Sequence, residues 1–343
     1  MGSAKRLYLL ALVVSLVGTV WADPAAPGFK VIQKAHLDGD GGWDCLAVDG
    51  DARRVYVTHD KKIQVLDADS LKMVGTIDGT QRAHGVVLVP ELGKGFATSG
   101  EDGTILVFDL KTLKLLDRVA AQKDADAIVY EPVTKRIFSF NGDSKNATVL
   151  DAATDKVVTT LDLGGAPEFA VADGKGTIFD NLEDKSEVLR INAKTLKIEK
   201  RWPLAPGESP SGMAMDIKHK RLFIGCRNKM TVVMNASNGK VIQTLPIGEH
   251  VDGTAFDPET KTVLNTCGDG TLSVIHEDSP NHYTAVENAV TMPGARTLAL
   301  DPKTGHVFSA TAKTEPAPTP TKDNPKPRRK IVPGTFEVLE IGK

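Results

Sequence analysis

Four carboxylates, Asp44, Asp126, Glu168 and Asp252, recur along the chain in near-regular steps, and Arg296 continues the series. Gly85 and Ser211 fill the two remaining places, so that the seven positions lie 41–44 residues apart. His84, Asp124 and His250 stand one or two residues ahead of members of the series. Side chains at one phase of a repeat converge when the units are arrayed around an axis. Converging carboxylates repel one another unless a cation, Arg296 or shared protons offset them. The chemistry offered is a site for a cation or a cationic ligand, with Asp126, Glu168 and Asp252 as candidate metal ligands. A divalent ion such as calcium suits an all-oxygen set, and no other cofactor is expected. A metal-dependent hydrolase or lactonase can be drawn from the same residues, with His84 as base, a carboxylate on the metal and Arg296 orienting an acidic substrate. A hydrated, polar entrance without a ligand is the plainer reading.

The elements that must position these residues are β-strands. The cadence apolar strand, polar turn, second strand appears in CLAVDGDARRVYVT (Cys45 to Thr58) and recurs six times, ending with TLALDPKTGHVFS (Thr297 to Ser309). Each unit then offers a third strand, such as IQVLD or ILVFD, a turn led by Asp or Asn, such as DADSLK, and a fourth strand, such as KMVGTI. The leading Asp or Asn can accept backbone amides two or three residues on, which holds a tight hairpin. About seven such units predict an all-β, seven-bladed β-propeller of four-stranded antiparallel blades. The last unit ends at Lys343 without a fourth strand, and FKVIQKAHL (Phe29 to Leu37) is available to supply it. The ring is therefore expected to close by an N-terminal strand completing the C-terminal blade, which removes the open edges of a linear array. The phenylalanines at 96, 138, 179, 223 and 308 share one repeat position and are expected in the core.

Arg53-Arg54-Val55-Tyr56-Val57-Thr58, followed by Val65-Leu66-Asp67-Ala68, resembles the YVTN repeat, and the chain from Phe29 to Lys343 resembles the YncE-like family of exported bacterial propellers. The resemblance implies a binding or interaction module in most members and single-stranded nucleic-acid binding in some. The paired-histidine lead-in to an inner strand that marks seven-bladed lactonases is not found, so no residue is assigned as catalytic. A fold of this kind does not by itself name a function.

The start of the chain carries an address. Lys5 and Arg6 precede an apolar run from Leu7 to Val20, with Ala22 ahead of Asp23. This reads as a signal peptide over residues 1–22, cut after Ala22; the run is short of the roughly 20 residues of a membrane span. A single propeller domain over 23–343, periplasmic or secreted and monomeric, is the expectation. The formal charge is −2 and becomes −4 without Lys5 and Arg6, which argues against nucleic acid as a partner. The aromatics that could still stack on bases are Trp43 and Trp202, read as the exposed ones. His59 is read as a solvated turn residue. Cys226 and Cys267 occupy one position in consecutive units, leaving a disulfide between them as an open alternative.

One segment breaks the repeat. KTEPAPTPTKDNPKPRRKIVPG, residues 313–334, separates the second and third strands of the last unit, and its prolines favour extended polyproline conformations. Lys322, Lys326, Arg328, Arg329 and Lys330 make its second half basic. It reads as a docking arm for a protein or a cell-envelope polymer.

Overall fold

Turn chemistry sets the period of the molecule. Asp67, Asp109, Asp151, Asn192 and Asn235 each accept a backbone amide two or three residues ahead, at 2.6–2.9 Å, between third and fourth strands. Four of these turns close on a non-glycine residue in the left-handed region, Leu71, Leu113, Asp155 and Leu196. The side-chain acceptor stabilises a backbone that would otherwise be strained.

The computed structural model describes residues 28–316, 318, 319, 321 and 329–343. Residues 1–22, read from the sequence as a signal peptide, and the basic residues Lys322, Lys326 and Arg328 lie outside the described residues. The strands form seven four-stranded antiparallel sheets. Blades 1–6 cover residues 43–78, 83–120, 125–162, 167–203, 210–246 and 251–290. Blade 7 combines Ala299–Leu300, Val307–Thr311 and Glu337–Gly342 with the N-terminal strand Lys30–His36. That strand runs antiparallel to Glu337–Gly342, with Lys30 opposite Gly342 and His36 opposite Glu337. The ring closes as the repeat predicts. No helix among the described residues is long and apolar enough to cross a membrane.

The core is one repeat position multiplied. Tyr56, Phe96, Phe138, Phe179, Phe223 and Phe308 are at most 2% exposed, and burying each such ring contributes about 1.5–3 kcal/mol. Polar staples add register between blades. Arg54, Arg136 and Arg221, each opening a second strand, reach backbone carbonyls of the next blade, and Lys94 reaches the Asp155 carboxylate of the next blade at 2.7 Å. Arg53 spans the closing seam to Asp301 at 2.6 Å.

Antiparallel order also sorts the loops by face. The starts of the innermost strands and the connections from second to third strand share one face, which contains the channel mouth. Turns between first and second strands, and between third and fourth, share the opposite face. The arm joins second and third strands of blade 7, so it leaves from the mouth face. Its base is held by a bridge between Thr314 and Ile331 and by Glu315 N–H donating to Lys330 C=O at 2.8 Å. Arg329 and Lys330 are exposed there.

Several sequence expectations fail on packing. Trp43 and Trp202 are 7% and 8% exposed. Trp43 packs on Phe336 with ring centroids 5.6 Å apart, and Trp202 stacks on Phe179 at 6.2 Å. Neither offers a face to a base. His59 is buried at 1% exposure, stacked on Phe336 and bonded through Nδ1 to Gln64. Phe336 arrives from the far end of the chain because blade 7 seats beside blade 1, which covers what local sequence reads as a turn. Cys226 and Cys267 are buried free thiols, each pushed up to about 12 by burial. Cys45 is buried and free as well.

Candidate functional site

In six blades the innermost strand starts with one residue in ladder register and then slips. The slip follows Trp43, Ala83, Ala125, Pro167, Pro210 and Val251. Such bulges re-aim the residues they release. The first residue released in each blade is Asp44, His84, Asp126, Glu168, Ser211 and Asp252; Arg296, following buried Ala295, holds the equivalent place in blade 7. The sequence alignment therefore needs one correction: blade 2 contributes His84, not Gly85. Its first turn is a 3-10 turn at Pro90–Leu92, and Val89 pairs with Lys94 as Asp49 pairs with Arg54. Val89 stands where the other turns place their leading acid, and with Glu91 two residues on, an alignment on Pro90 slips by one. Gly85 has a different role. A Cβ there would sit 2.6 Å from the Asp126 carbonyl oxygen of the next blade.

The seven side chains form a chain of polar contacts around the mouth. His84 Nδ1 lies 2.6 Å from Asp44 Oδ2 and 3.4 Å from Asp126 Oδ1. Arg296 donates Nε to Asp252 Oδ2 at 2.7 Å and reaches Asp44 at 4.0 Å. Its guanidinium also lies over the Trp43 ring at 5.7 Å. Ser211 donates to Asp252 Oδ1 at 2.6 Å and stands 3.3 Å from Glu168 Oε2. A hydroxyl carries one proton, so the contact with Glu168 closes fully when Glu168 is protonated and donates to Ser211. Read blade by blade, the chain runs Asp126, His84, Asp44, Arg296, Asp252, Ser211, Glu168. Among the described residues it is open only between Asp126 and Glu168, in neighbouring blades.

Protons collect at that opening. Burial, reinforced by the charges of Asp44, Asp124 and Asp252 and opposed by His84, raises Asp126 to about 7. Burial and then the charges of Asp126 and Asp252 hold Glu168 well above the carboxylate range, against the pull of Arg227. Burial works against a charged His84, yet the Asp44 hydrogen bond and the Asp126 charge prevail and raise it. Asp126 and Glu168 thus both hold their protons more tightly than free carboxyls do, and the ring retains a net acidic character. A recess of about 290 Å³ opens beside it, bounded by Trp43, Asp44, Arg82, His84 and Arg296.

The metal set expected from sequence is not the set that assembles. Asp126 groups with Asp44 and His84, whose ligand atoms lie within 4.8 Å of one another. Glu168 and Asp252 meet at Ser211 instead. One imidazole and two carboxylates accommodate a divalent ion of mixed nitrogen and oxygen preference better than calcium. Asp124 and His250 sit two positions ahead of the ring, in left-handed φ on its rim. Arg227, which sequence reading passed over, pairs with Glu183 at 2.7 Å and with Glu168 at 3.7 Å. Its only signal was a cation directly after Cys226 at the end of a second strand.

No family model matches the chain, and no curated protein matches it. Solved structures do. The chain is similar to a chain of Kuenenia stuttgartiensis hydrazine synthase at TM-score 0.70 and 12% identity, covering 82% of this chain and 96% of that one. It is similar to U3-55K at TM-score 0.73 and 11% identity, with coverages of 91% and 98%. The WD40 repeats of RRP9 give TM-score 0.75 at 11% identity, with coverages of 92% and 97%. At these identities the likeness shows the propeller fold alone.

Proposed function

We propose that the protein is an exported, non-catalytic binding platform of the YncE-like kind, whose mouth face takes a cationic group of its ligand. The observation that carries this reading is the acidic ring, continuous except between Asp126 and Glu168, where the two carboxyls hold protons that a cation can replace. A positive group seated there lets both ionise and relieves their repulsion. The proline-rich arm leaves from the same face, which supports one composite surface in place of two separate ones. His84 is poorly placed as a catalytic base. Its Nδ1 is taken by Asp44, and its Nε2 is packed against Gly100, with no hydrogen-bond partner among the described residues.

The test is thermal unfolding of residues 23–343 in chelator, then with excess calcium, manganese or zinc, and with spermidine as an organic cation. Occupancy at about 100 times Kd adds about 2.7 kcal/mol, and the gain should vanish in Asp126→Asn, which removes the carboxylate common to the opening and to the Asp44–His84 group. The metal and polyamine arms distinguish an ion from an ammonium-bearing ligand. No gain with any of these cations would overturn the reading. Removal of residues 314–330 should leave the melting temperature of the unliganded protein unchanged, because the strands on either side remain.

A further inference from the structure

A second cluster lies on the opposite face, in the seam between blades 5 and 6. His219 Nδ1 is 2.6 Å from Asp216 Oδ2 in its own turn and 3.1 Å from Glu277 Oε1 of the next blade. Asp216 and Glu277 are 4% and 2% exposed. Asp216 Oδ1 already accepts the amides of Lys218 and His219. Glu277 Oε2 has no hydrogen-bond partner among the described residues. Two buried carboxylates therefore converge on one nitrogen, which carries at most one proton, and an oxygen remains unsatisfied.

The repeat shows that Glu277 is no consequence of the fold. Its place, after the third strand, holds Ala68, Leu110, Ala152, Ala193 and Ala236 in blades 1–5, all buried and apolar. Blade 6 also lengthens the two strands that carry it, Thr271–Ser279 and His282–Val290, to 9 residues each where other blades use 6 or 7. Across the seam, His219 stands where blades 3, 6 and 7 place Thr134, Thr260 and Thr304, whose hydroxyls donate to the acid of their own turn. Substitutions on both sides of one seam replace apolar and hydroxyl groups with ligand-type groups.

We propose that Asp216, His219 and Glu277 bind a divalent transition ion of the zinc class, which clasps blade 5 to blade 6. An ion in place of the Nδ1 proton would satisfy both carboxylates and the imidazole together. Ligand atoms about 2.0–2.2 Å from such an ion lie about 3.4 Å apart in a tetrahedral shell, so the observed spacings open by less than 1 Å on binding. The half-buried imidazole edge leaves the remaining position to water. An imidazole with two carboxylates selects this ion over calcium, which takes oxygen alone.

The experiment is equilibrium dialysis against zinc of the Asp126→Asn protein, in which the mouth cluster of Asp44, His84 and Asp126 loses a ligand, so that failure of either site is read separately. One equivalent of zinc per chain is expected, with none of comparable affinity for calcium. Glu277→Ala should abolish it while folding normally, because alanine is what blades 1, 3, 4 and 5 carry there. His219→Ala should weaken zinc at least tenfold. Zinc binding unchanged when Glu277→Ala is added to the Asp126→Asn protein, or no zinc bound by the Asp126→Asn protein at millimolar concentration, would overturn the proposal.

Discussion

Replacing Asp126 by asparagine should make the protein more stable at pH 8 and leave it unchanged near pH 4. In the folded protein Asp126 titrates at about 7, against 3.8 for a free aspartate. The folded state keeps a proton that the unfolded chain has already released, so this carboxyl lowers stability as pH rises from 3.8 toward 7 and its penalty is complete above that. A shift of about 3 units is about 4 kcal/mol. The side chain is 29% exposed, and the proton is shared with His84, so about half of that, roughly 2 kcal/mol, is the expected gain. With an unfolding entropy of roughly 0.7 kcal/mol per kelvin for a chain of this length, the melting temperature should rise by about 3 °C. The assay is thermal and urea unfolding of both proteins in chelator, from pH 4 to pH 8. Asparagine removes the titration, so the two stability curves must diverge through that window. Parallel curves, or an asparagine variant less stable at pH 8, would refute the idea that Asp126 carries an unpaired buried charge.

Other substitutions probe the frame that holds the ring. Asp180 is fully buried, with neither carboxyl oxygen bonded among the described residues, and burial alone pushes it well above its usual range. Asp180→Val, which supplies the residue blade 1 carries as Val57, should raise stability at pH 7 by roughly 1–3 kcal/mol in denaturant titration, with a smaller gain at pH 4. Gly85→Val should cost roughly 1–3 kcal/mol, because the new side chain meets the backbone of blade 3 at the mouth; an unchanged urea midpoint would show that the blades part easily there. Deleting residues 23–36 strips blade 7 of its outer strand and exposes the edge of Glu337–Gly342. The product should lose cooperative unfolding or associate by size-exclusion chromatography, and a stable monomer with a single sharp transition would contradict the role given to ring closure.

How much of this was legible beforehand depended on where each signal lives. The turn acids Asp67, Asp109 and Asp151, and the aromatics at one phase of six of the seven second strands, write the period into the chain. Local turn chemistry and burial demand those residues in each unit independently. The spare strand around Val31 was readable for the same reason, since an unpaired blade edge must be covered. The ring was legible as a set of positions and was misread by one residue where blade 2 turns at Pro90–Leu92 with Val89 in place of the leading acid. Trp43 and His59 looked exposed because Phe336, which covers both, comes from the opposite end of the chain. The seam cluster was illegible, because Glu277 reads as one more loop acid until its apolar counterparts in the other blades are superposed on it.

The sequence alone determined the strands, their number, their grouping into seven units and the way the ring closes. Each of those follows from hydrogen bonding and burial within about 40 residues, which every repeat solves in the same way. Tertiary structure decided which charges meet. It separated Asp126 from Glu168 and Asp252, gave it to His84, linked Arg296 to Asp252 and set Glu277 against His219. These partners lie in different blades, and their distances depend on bulges, neighbouring backbones and desolvation, none of which a repeat pattern encodes.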